Sequence, residues 1–395
     1  MKKWRLRIKS VFLLVCCYCY CLIRGRADKK ITDPKKILVV QMAKLGDMVC
    51  TTPVLRAVKA KYPQSEVYVL GDAVNKILLQ NHPDVDGYIV FGDNLFRFIK
   101  ELRKIKFDFA CVAVPDFDSL AIIYLSGIPL ICVPKITDGY SPYNTRPFRL
   151  ASKLVVTRNY GLEKYAPREY LKLLEPIDIY TDDTKKWLAY SSWAKKKVDE
   201  FFIDRAIDKS SDFIIGLSPA AGNKIKLWSP KKFADLINHI CHHWQAKIII
   251  IGASADTPLA NEVVSHLNQE NQVINTVGVF NLDELKVLMA QMSMFISVDT
   301  GPIYVAEAFE VPTIDIVGPV DERVQPPQGQ FNKIVKVERK KAEMYILNSR
   351  DYNYQEAKRQ VDEISVEMVV EQFEQLVSAI NTVGNRTRAK PRVLT

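Results

Sequence analysis

Short apolar runs alternate with stretches of helical composition through the first half of this 395-residue chain. Strands that alternate with helices are typical of a parallel, doubly wound α/β sheet, because parallel strands need long crossover connections. The sequence therefore predicts such a sheet here. Its predicted strands are Ile37–Val40, Glu66–Leu70, Tyr88–Phe91, Phe107–Val114 and Pro129–Val133, and its predicted helices include Met48–Lys61, Asn75–Gln80 and Leu95–Lys104.

The same alternation returns in the second half, after a polar link at Tyr180–Lys186. We therefore predict two Rossmann-like units, residues 31–185 and residues 186–330. Ligands of such sheets bind at the carboxyl ends of strands, so we expect the two units to face each other across a cleft. The second set of strands is Phe213–Leu217, Ala246–Ile251, Val273–Val277, Met294–Val298 and, as the last, Thr313–Val317.

Composition narrows the class of partner. An apolar content of 48% with 25% charged residues is that of a globular protein with an ample core. The net charge of +10 favours an anionic partner, such as a membrane surface, a phosphorylated ligand or nucleic acid. Nucleic acid is disfavoured, because the chain has neither an RNA-module signature nor zinc-finger spacing.

The first 30 residues predict a membrane-associating segment. Basic residues precede and follow an apolar run from Val11 to Ile23, which is shorter than the ~20 residues that span a bilayer. We expect an uncleaved anchor on the membrane surface; insertion and a cleaved leader are the alternatives. The eight cysteines do not form a disulfide pattern, which indicates a reducing compartment. The expectation is a cytoplasmic protein attached peripherally to the inner membrane face.

The stretch Ser297–Pro302 predicts a phosphate site. A buried strand breaks at Asp299-Thr300-Gly301, and an Ala-rich helix follows. Unpaired amides at a helix start lie at the positive end of its dipole, Gly301 permits close approach, and Thr300 can cap the helix and offer a hydroxyl. The alternative is an ordinary strand–helix turn with an N-cap.

Asp47 is the candidate acid of the first half. It follows Gly46 in the loop Gln41–Asp47, at the carboxyl end of the first predicted strand. A carboxylate there can take a proton from a hydroxyl, or it can be a structural acid that favours the helix dipole. Lys44 nearby can contact an anion or simply be solvated.

Two further basic features have a functional and a structural interpretation. Residues Thr137–Leu162 are predicted to be a basic, aromatic loop, in which Arg146 could hold an anionic acceptor or be solvated. His239 and His243 are spaced for a metal, but without an acidic partner a solvated helix face is favoured. The expectation is that the protein holds no metal.

The last 65 residues are predicted to contain a charged, irregular connector, a helix over Ser365–Asn381 that packs back on the body, and a basic tail from Arg386. We take residues 331–395 as this C-terminal part.

Four stretches in order resemble a known family. ILVVQMAKLGDMVCTTP (Ile37–Pro53) resembles the strand and LGD loop that open glycosyltransferase family 9, which includes the ADP-heptose:lipopolysaccharide heptosyltransferases. SVDTGPIYVAEA (Ser297–Ala308) resembles that family's DTGxxH segment. GLSPAAGNKIKLWSPKKFADL (Gly216–Leu236) and IVGPVDE (Ile316–Glu322) support the resemblance.

The resemblance implies a GT-B fold, with the acceptor on the first unit and the nucleotide-sugar on the second. It also implies inverting sugar transfer without a metal ion or cofactor; the co-substrate is a nucleotide-diphosphate sugar, most simply an ADP-linked heptose. Asp47 matches the family's general base. The matches for donor binding are Lys226, Thr300, Gly301, Asp299 and Val279, and we add Gly222 from the small-residue loop before Lys226.

This sequence departs from the family where Tyr304 replaces the histidine of DTGxxH. A tyrosine donates one hydrogen bond but does not readily carry charge at neutral pH, so donor binding can differ or activity can be lost. The working hypothesis is transfer onto a lipopolysaccharide-core or related saccharide that Lys44 and Arg146 help to bind. The alternatives are a catalytically silent sugar-nucleotide-binding protein and a nucleotide-sugar epimerase.

Overall fold

The computed structural model describes residues 2–92, 94–268, 273–344 and 352–383; the side chains of residues 2–8 and 383 are outside this description, as is the basic tail predicted from Arg386. The chain divides into two compact units, Met1–Lys186 and Trp187–Thr395.

The first unit is built on a six-stranded sheet in which every pairing is parallel. The strand order is β3-β2-β1-β4-β5-β6. The strands are β1 Lys36–Val40, β2 Glu66–Gly71, β3 Gly87–Val90, β4 Phe109–Val112, β5 Leu130–Ile136 and β6 Val156–Tyr160. The helices are α1 Lys2–Arg24, α2 Leu45–Lys61, α3 Ala73–Leu78, α4 Leu95–Ile105, α5 Phe117–Leu125, α6 Arg146–Ala151 and α7 Ala166–Leu171.

The second unit repeats this topology. Its sheet is again six-stranded and parallel, in the order β12-β11-β10-β7-β8-β9. The strands are β7 Phe213–Ser218, β8 Ala246–Ile250, β9 Val273–Asn275, β10 Met294–Val298, β11 Thr313–Ile316 and β12 Asn332–Val335. The helices are α8 Ser192–Asp204, α9 Pro230–His243, α10 Thr257–Ser265, α11 Leu282–Ala290, α12 Gly301–Ala308, α13 Tyr354–Asp362 and α14 Val366–Val383.

The central strands confirm the α/β, doubly wound prediction. Residues Ile37 to Val39 and Met294 to Ile296 are fully buried, as expected for parallel strands covered on both faces. In each sheet the strand order reverses beside the first strand, between β1 and β4 and between β7 and β10. Such a reversal opens a crevice outside the carboxyl ends of the two strands, where ligands of these folds bind.

Two predictions of irregular structure are wrong. The predicted loop Thr137–Leu162 contains α6 and the edge strand β6, and the predicted connector beyond residue 330 contains the edge strand β12 and the helix α13. Thr313–Val317 is therefore not the last strand. Both missed strands are edge strands, and most of their residues are half-buried. An edge position tolerates polar residues, which interrupt the apolar run from which a strand is predicted.

The two ends of the described chain pack on the units. Leu13 and Cys17 of α1 are buried in the core of the first unit with residues of α5. Helix α14 packs on the second unit: the Phe373 ring lies 6.3 Å from Phe213 and 5.9 Å from Trp244, measured between centroids. Within the residues that the structure describes, no helix has the length and apolar character needed to cross a membrane.

Candidate functional site

Asp299, Thr300 and Gly301 lie at the switch point of the second sheet. β10 ends at Val298 and α12 begins at Gly301, so these residues form a tight strand–helix corner. The loop that follows β7, the other strand of the switch point, leads through residues 219–223 into a single 3-10 turn, Lys224–Lys226. The fold therefore brings two loops together that are far apart in the sequence.

Lys226, Asp299 and Tyr304 form a connected polar cluster at this corner. The Lys226 ammonium lies 2.5 Å from Asp299 Oδ2, and the Tyr304 hydroxyl donates a hydrogen bond to Asp299 Oδ1. The Lys226 and Asp299 side chains are only 7% and 13% exposed. Both carboxylate oxygens are thus occupied, which holds the ammonium in a defined position while leaving it further N–H donors.

The start of α12 differs from the prediction in one respect. Thr300 is at the N-cap position in extended conformation, but its side chain does not cap the helix. Pro302 has no N–H, and the Ile303 amide donates to the Thr300 carbonyl at 3.0 Å. The Gly301 amide remains at the positive end of the helix, with the Thr300 hydroxyl next to it.

A row of polar residues crosses the sheet just below this corner. Ser218, Ser297 and Asp315 are in register on β7, β10 and β11, and each is at most 1% exposed. Asp315 Oδ1 has no hydrogen-bond partner among the described residues. Burial raises the pKa of the Asp315 carboxyl well above its usual range; the Asp299 carboxylate adds to this increase and the Lys226 ammonium opposes it.

We expect Asp315→Asn to flatten the pH dependence of stability. Because its folded pKa is raised, Asp315 keeps a proton that the unfolded chain has already released. The free energy of unfolding therefore decreases as pH rises from the pKa of Asp315 in the unfolded chain towards its pKa in the folded protein. The decrease is at most about 1.4 kcal/mol per pH unit. Asparagine removes this titration, so the free energy of unfolding of the variant should increase relative to that of wild type as pH rises above about 4, measured by urea denaturation.

The control for that experiment is Asp204→Asn, on an exposed position at the end of α8. It should leave the pH dependence unchanged. Parallel stability curves for wild type and Asp315→Asn would contradict the prediction.

Two further candidates for binding the nucleotide-sugar donor lie at the carboxyl edge of the second sheet. Gly222 is in the loop after β7, and Val279 follows the turn glycine Gly278 after β9, with its side chain 55% exposed. Gly278 has φ +76°, and a Cβ there would lie 2.9 Å from the Ser254 hydroxyl, so the turn needs glycine.

Asp47 lies at the switch point of the first sheet, after β1 and in the first turn of α2. Its Oδ2 accepts a hydrogen bond of 3.2 Å from the Lys44 amide, and its carbonyl accepts one of 2.8 Å from the Thr51 hydroxyl. The side-chain amide of Gln41, fully buried, donates to Thr51 and its oxygen accepts from the Ala43 amide. This network ties the loop and the helix start together, so the half-buried Asp47 has a fixed position.

Tyr160 and Tyr170 form the buried surroundings of Asp47, and sequence reasoning missed both. Burial raises the pKa of each phenol, and the Asp47 carboxylate contributes in the same direction. The two phenols are hydrogen-bonded to each other, with ring centroids 6.0 Å apart. Tyr160 ends β6, so recognising that strand would have placed it at the same carboxyl edge of the sheet as Asp47.

The proposed acceptor residues are both exposed. Lys44 immediately precedes α2, and Arg146 is the first residue of α6, in the connection that leaves the carboxyl end of β5. Their role stays a prediction.

The histidines of α9 form a ring cluster. The rings of His239 and His243 stack at 4.3 Å between centroids, and His239 Nε2 lies 3.7 Å from Glu374 Oε1. In the part of the chain that the structure describes, no group of three His, Cys, Asp or Glu side chains is placed to hold a metal ion.

Comparison with known proteins connects this geometry to one family. Residues 95–351, about two thirds of the chain, match the model of glycosyltransferase family 9 (heptosyltransferase). That range includes Lys226, Asp299 and Tyr304 but begins after Asp47. Lipopolysaccharide heptosyltransferase 2 of Salmonella typhimurium is 24% identical over 323 residues, which cover 76% of this chain and 88% of that protein.

Solved structures share the fold. The E. coli ADP-heptose lipopolysaccharide heptosyltransferase II superposes with a TM-score of 0.69 at 21% identity, covering 88% of this chain and 99% of that one. E. coli heptosyltransferase WaaC with ADP superposes with a TM-score of 0.63 at 14% identity, covering 86% and 99%. The α/β architecture of two parallel six-stranded sheets is thus the GT-B fold. With the extent of the family match, this makes the chain a glycosyltransferase that belongs to family 9.

Proposed function

We propose that this glycosyltransferase moves a heptose from ADP-heptose onto a lipopolysaccharide-core or related cell-surface saccharide. The observation that carries the proposal is the Lys226–Asp299–Tyr304 cluster beside the start of α12, at a sheet switch point. An ammonium, a helix-start amide and a hydroxyl together suit a diphosphate. The choice of ADP and heptose follows the names of the relatives and of the E. coli structure with ADP.

The proposed reaction is a single displacement with inversion at the anomeric carbon. Asp47 accepts the proton of an acceptor hydroxyl, and the hydroxyl oxygen forms a bond to the anomeric carbon. At the same time the bond from that carbon to the diphosphate oxygen breaks, and its electron pair leaves with the nucleotide. Asp47 suits the role because its backbone and side chain are fixed by the loop network around Gln41.

Charge that develops on the leaving diphosphate is stabilised by the second unit. Lys226 supplies a full positive charge, the Gly301 amide supplies the helix end, and the Thr300 hydroxyl donates a hydrogen bond. Groups aimed at developing charge lower the barrier most, so the lysine and the helix do the work for which other enzymes use a metal ion. We therefore propose transfer that is independent of added metal. Gly222 and Val279 complete the donor side in this proposal.

The acceptor is proposed to bind the first unit, where Lys44 and Arg146 contact its anionic groups. Attachment to the inner face of the membrane through residues 1–30 would keep the enzyme near a lipid-linked acceptor.

The test has a binding arm and a transfer arm. A panel of nucleotide-sugars is screened by thermal unfolding, and ADP-heptose at 100 times its Kd should stabilise the protein by about 2.7 kcal/mol. The same donor is then incubated with a heptose-acceptor core saccharide, with and without EDTA, and the anomeric configuration of the product is read by NMR.

We expect an inverted product whose yield EDTA does not change. Stabilisation by ADP-heptose without transfer to any acceptor would favour the silent binding protein, and conversion of the donor without acceptor would favour the epimerase. A retained anomeric configuration would exclude single displacement.

A further inference from the structure

Helix α1 has two apolar faces, and only one of them packs on the protein. The inner face carries Leu13 and Cys17, which are 4% and 0% exposed. Tyr20, on the same side, meets the ring of Tyr124 on α5 edge-on at 6.0 Å between centroids. This inner face is buried against the first unit, so α1 lies along the surface of that unit.

The outer face carries a second apolar stripe with helical spacing. Its large apolar side chains are each more than half exposed, and they lie along one side of the helix at spacings of three, four and seven residues. They are Val11 (60% exposed), Phe12 (53%), Val15 (55%), Leu22 (89%) and Ile23 (85%). From Ser10 to Ile23 the helix contains no charged residue.

Positive charge surrounds this stripe. Residues 1–27 include seven Lys or Arg and no acid. On one side, Arg103 of α4 lies over the Tyr20 ring at 5.5 Å, and Lys100 and Lys104 of the same helix are exposed. On the other side the Tyr18 hydroxyl donates to the Leu150 carbonyl of α6.

The second flank is basic too, because α6 carries the exposed Arg146 and Arg149. The nearest acid on α5, Asp118, is neutralised by Lys9 at 2.6 Å. The stripe is therefore an apolar ridge between two basic helices.

We propose that the outer face of α1, defined by Val11, Phe12, Val15, Leu22 and Ile23, docks on an anionic lipid bilayer with the helix axis in the membrane plane. The apolar side chains enter the boundary between headgroups and acyl chains, and the basic flanks contact acidic headgroups. The inference rests on the membrane attachment proposed above and specifies its surface. Because the inner face stays on α5, the first unit is held on the bilayer without a spanning segment.

A second copy of the chain fits this face less well than lipid. In an antiparallel helix pair the basic N-terminus of one copy would lie beside Arg24 and Arg26 of the other, and in a parallel pair like ends would meet. Both arrangements place positive charge against positive charge. An anionic bilayer instead neutralises both ends and both flanks.

The experiment is flotation of the full chain with vesicles of phosphatidylcholine alone and of phosphatidylcholine with phosphatidylglycerol. We expect binding to the anionic vesicles that weakens as salt rises. The double variant Leu22→Asp/Ile23→Asp should bind about 100-fold more weakly, because each lost side chain is worth about tenfold. Thermal unfolding should not change, since both residues are exposed.

The matched control is Ile203→Asp, which removes an apolar side chain of comparable exposure (76%) from α8 of the second unit. It should bind vesicles as wild type does. Phe12→Ser, at the other end of the stripe, should weaken binding by about tenfold.

Three results would overturn the inference: unchanged binding of the double variant, equal loss in the Ile203→Asp control, or a concentration-dependent dimer that the double variant abolishes while vesicle binding is absent. Transfer to a soluble acceptor fragment is measured in parallel. If the wild type binds vesicles but transfers no sugar, the proposed enzyme function fails and the docking surface stands.

Discussion

Asp47→Asn is expected to lower kcat for sugar transfer by about 10²–10⁴-fold, the usual contribution of a positioned general base. The amide keeps the shape of the carboxylate and can still accept from the Lys44 amide. It cannot take up a proton at neutral pH. Donor binding should therefore stay within about twofold of wild type, because the proposed diphosphate contacts all lie on the second unit.

The measurement is steady-state transfer with a saturating acceptor, together with donor affinity by calorimetry. The matched control is Asp72→Asn, which changes the carboxylate at the neighbouring strand–helix corner, between β2 and α3. Asp72 caps α3 by accepting from the Asn75 amide at 2.7 Å, and asparagine is an equally good cap. The control should retain transfer, and near-wild-type turnover of Asp47→Asn would remove Asp47 as the base.

Lys226→Met should have the second large effect, and it should affect both activity and stability. Loss of the ammonium that stabilises the leaving diphosphate is expected to reduce transfer by about 10²–10³-fold. Stability should fall by about 3–5 kcal/mol, because a mostly buried Asp299 carboxylate loses its partner. The hydrogen bond from Tyr304 remains and favours the lower end of that range.

A second substitution separates the two effects. In Lys226→Met/Asp299→Asn the unpaired charge is gone, so most of the unfolding free energy should return while transfer stays low. Lys224→Met is the matched control, because it removes an exposed lysine from the same 3-10 turn and should leave both quantities unchanged. Recovery of transfer in the double variant would mean that Lys226 acts only through stability.

The strand prediction found every central strand and two of the four edge strands, β3 and β9, and missed the other two. Each of the ten predicted strands overlaps one in the structure, whereas β6 and β12 were missed because their half-buried positions carry polar residues. Because β6 was missed, a residue near Asp47 was missed as well: Tyr160 ends β6 and contributes to the surroundings of Asp47. The sequence analysis did not single out Asp315, because it is a polar residue inside the buried strand β11.

The sequence alone determined the two parallel sheets, the corner at Asp299–Gly301 and the loop before Asp47, because these depend on local hydrophobic pattern and turn chemistry. Only the tertiary structure decided that Lys226 pairs with Asp299 across 73 positions, that Tyr304 holds the second oxygen of the same carboxylate, and which face of α1 is left uncovered. The physical reason is that a local pattern sets the period and burial of an element. Contacts between distant residues depend on strand order and packing, which are established only when the whole sheet has formed.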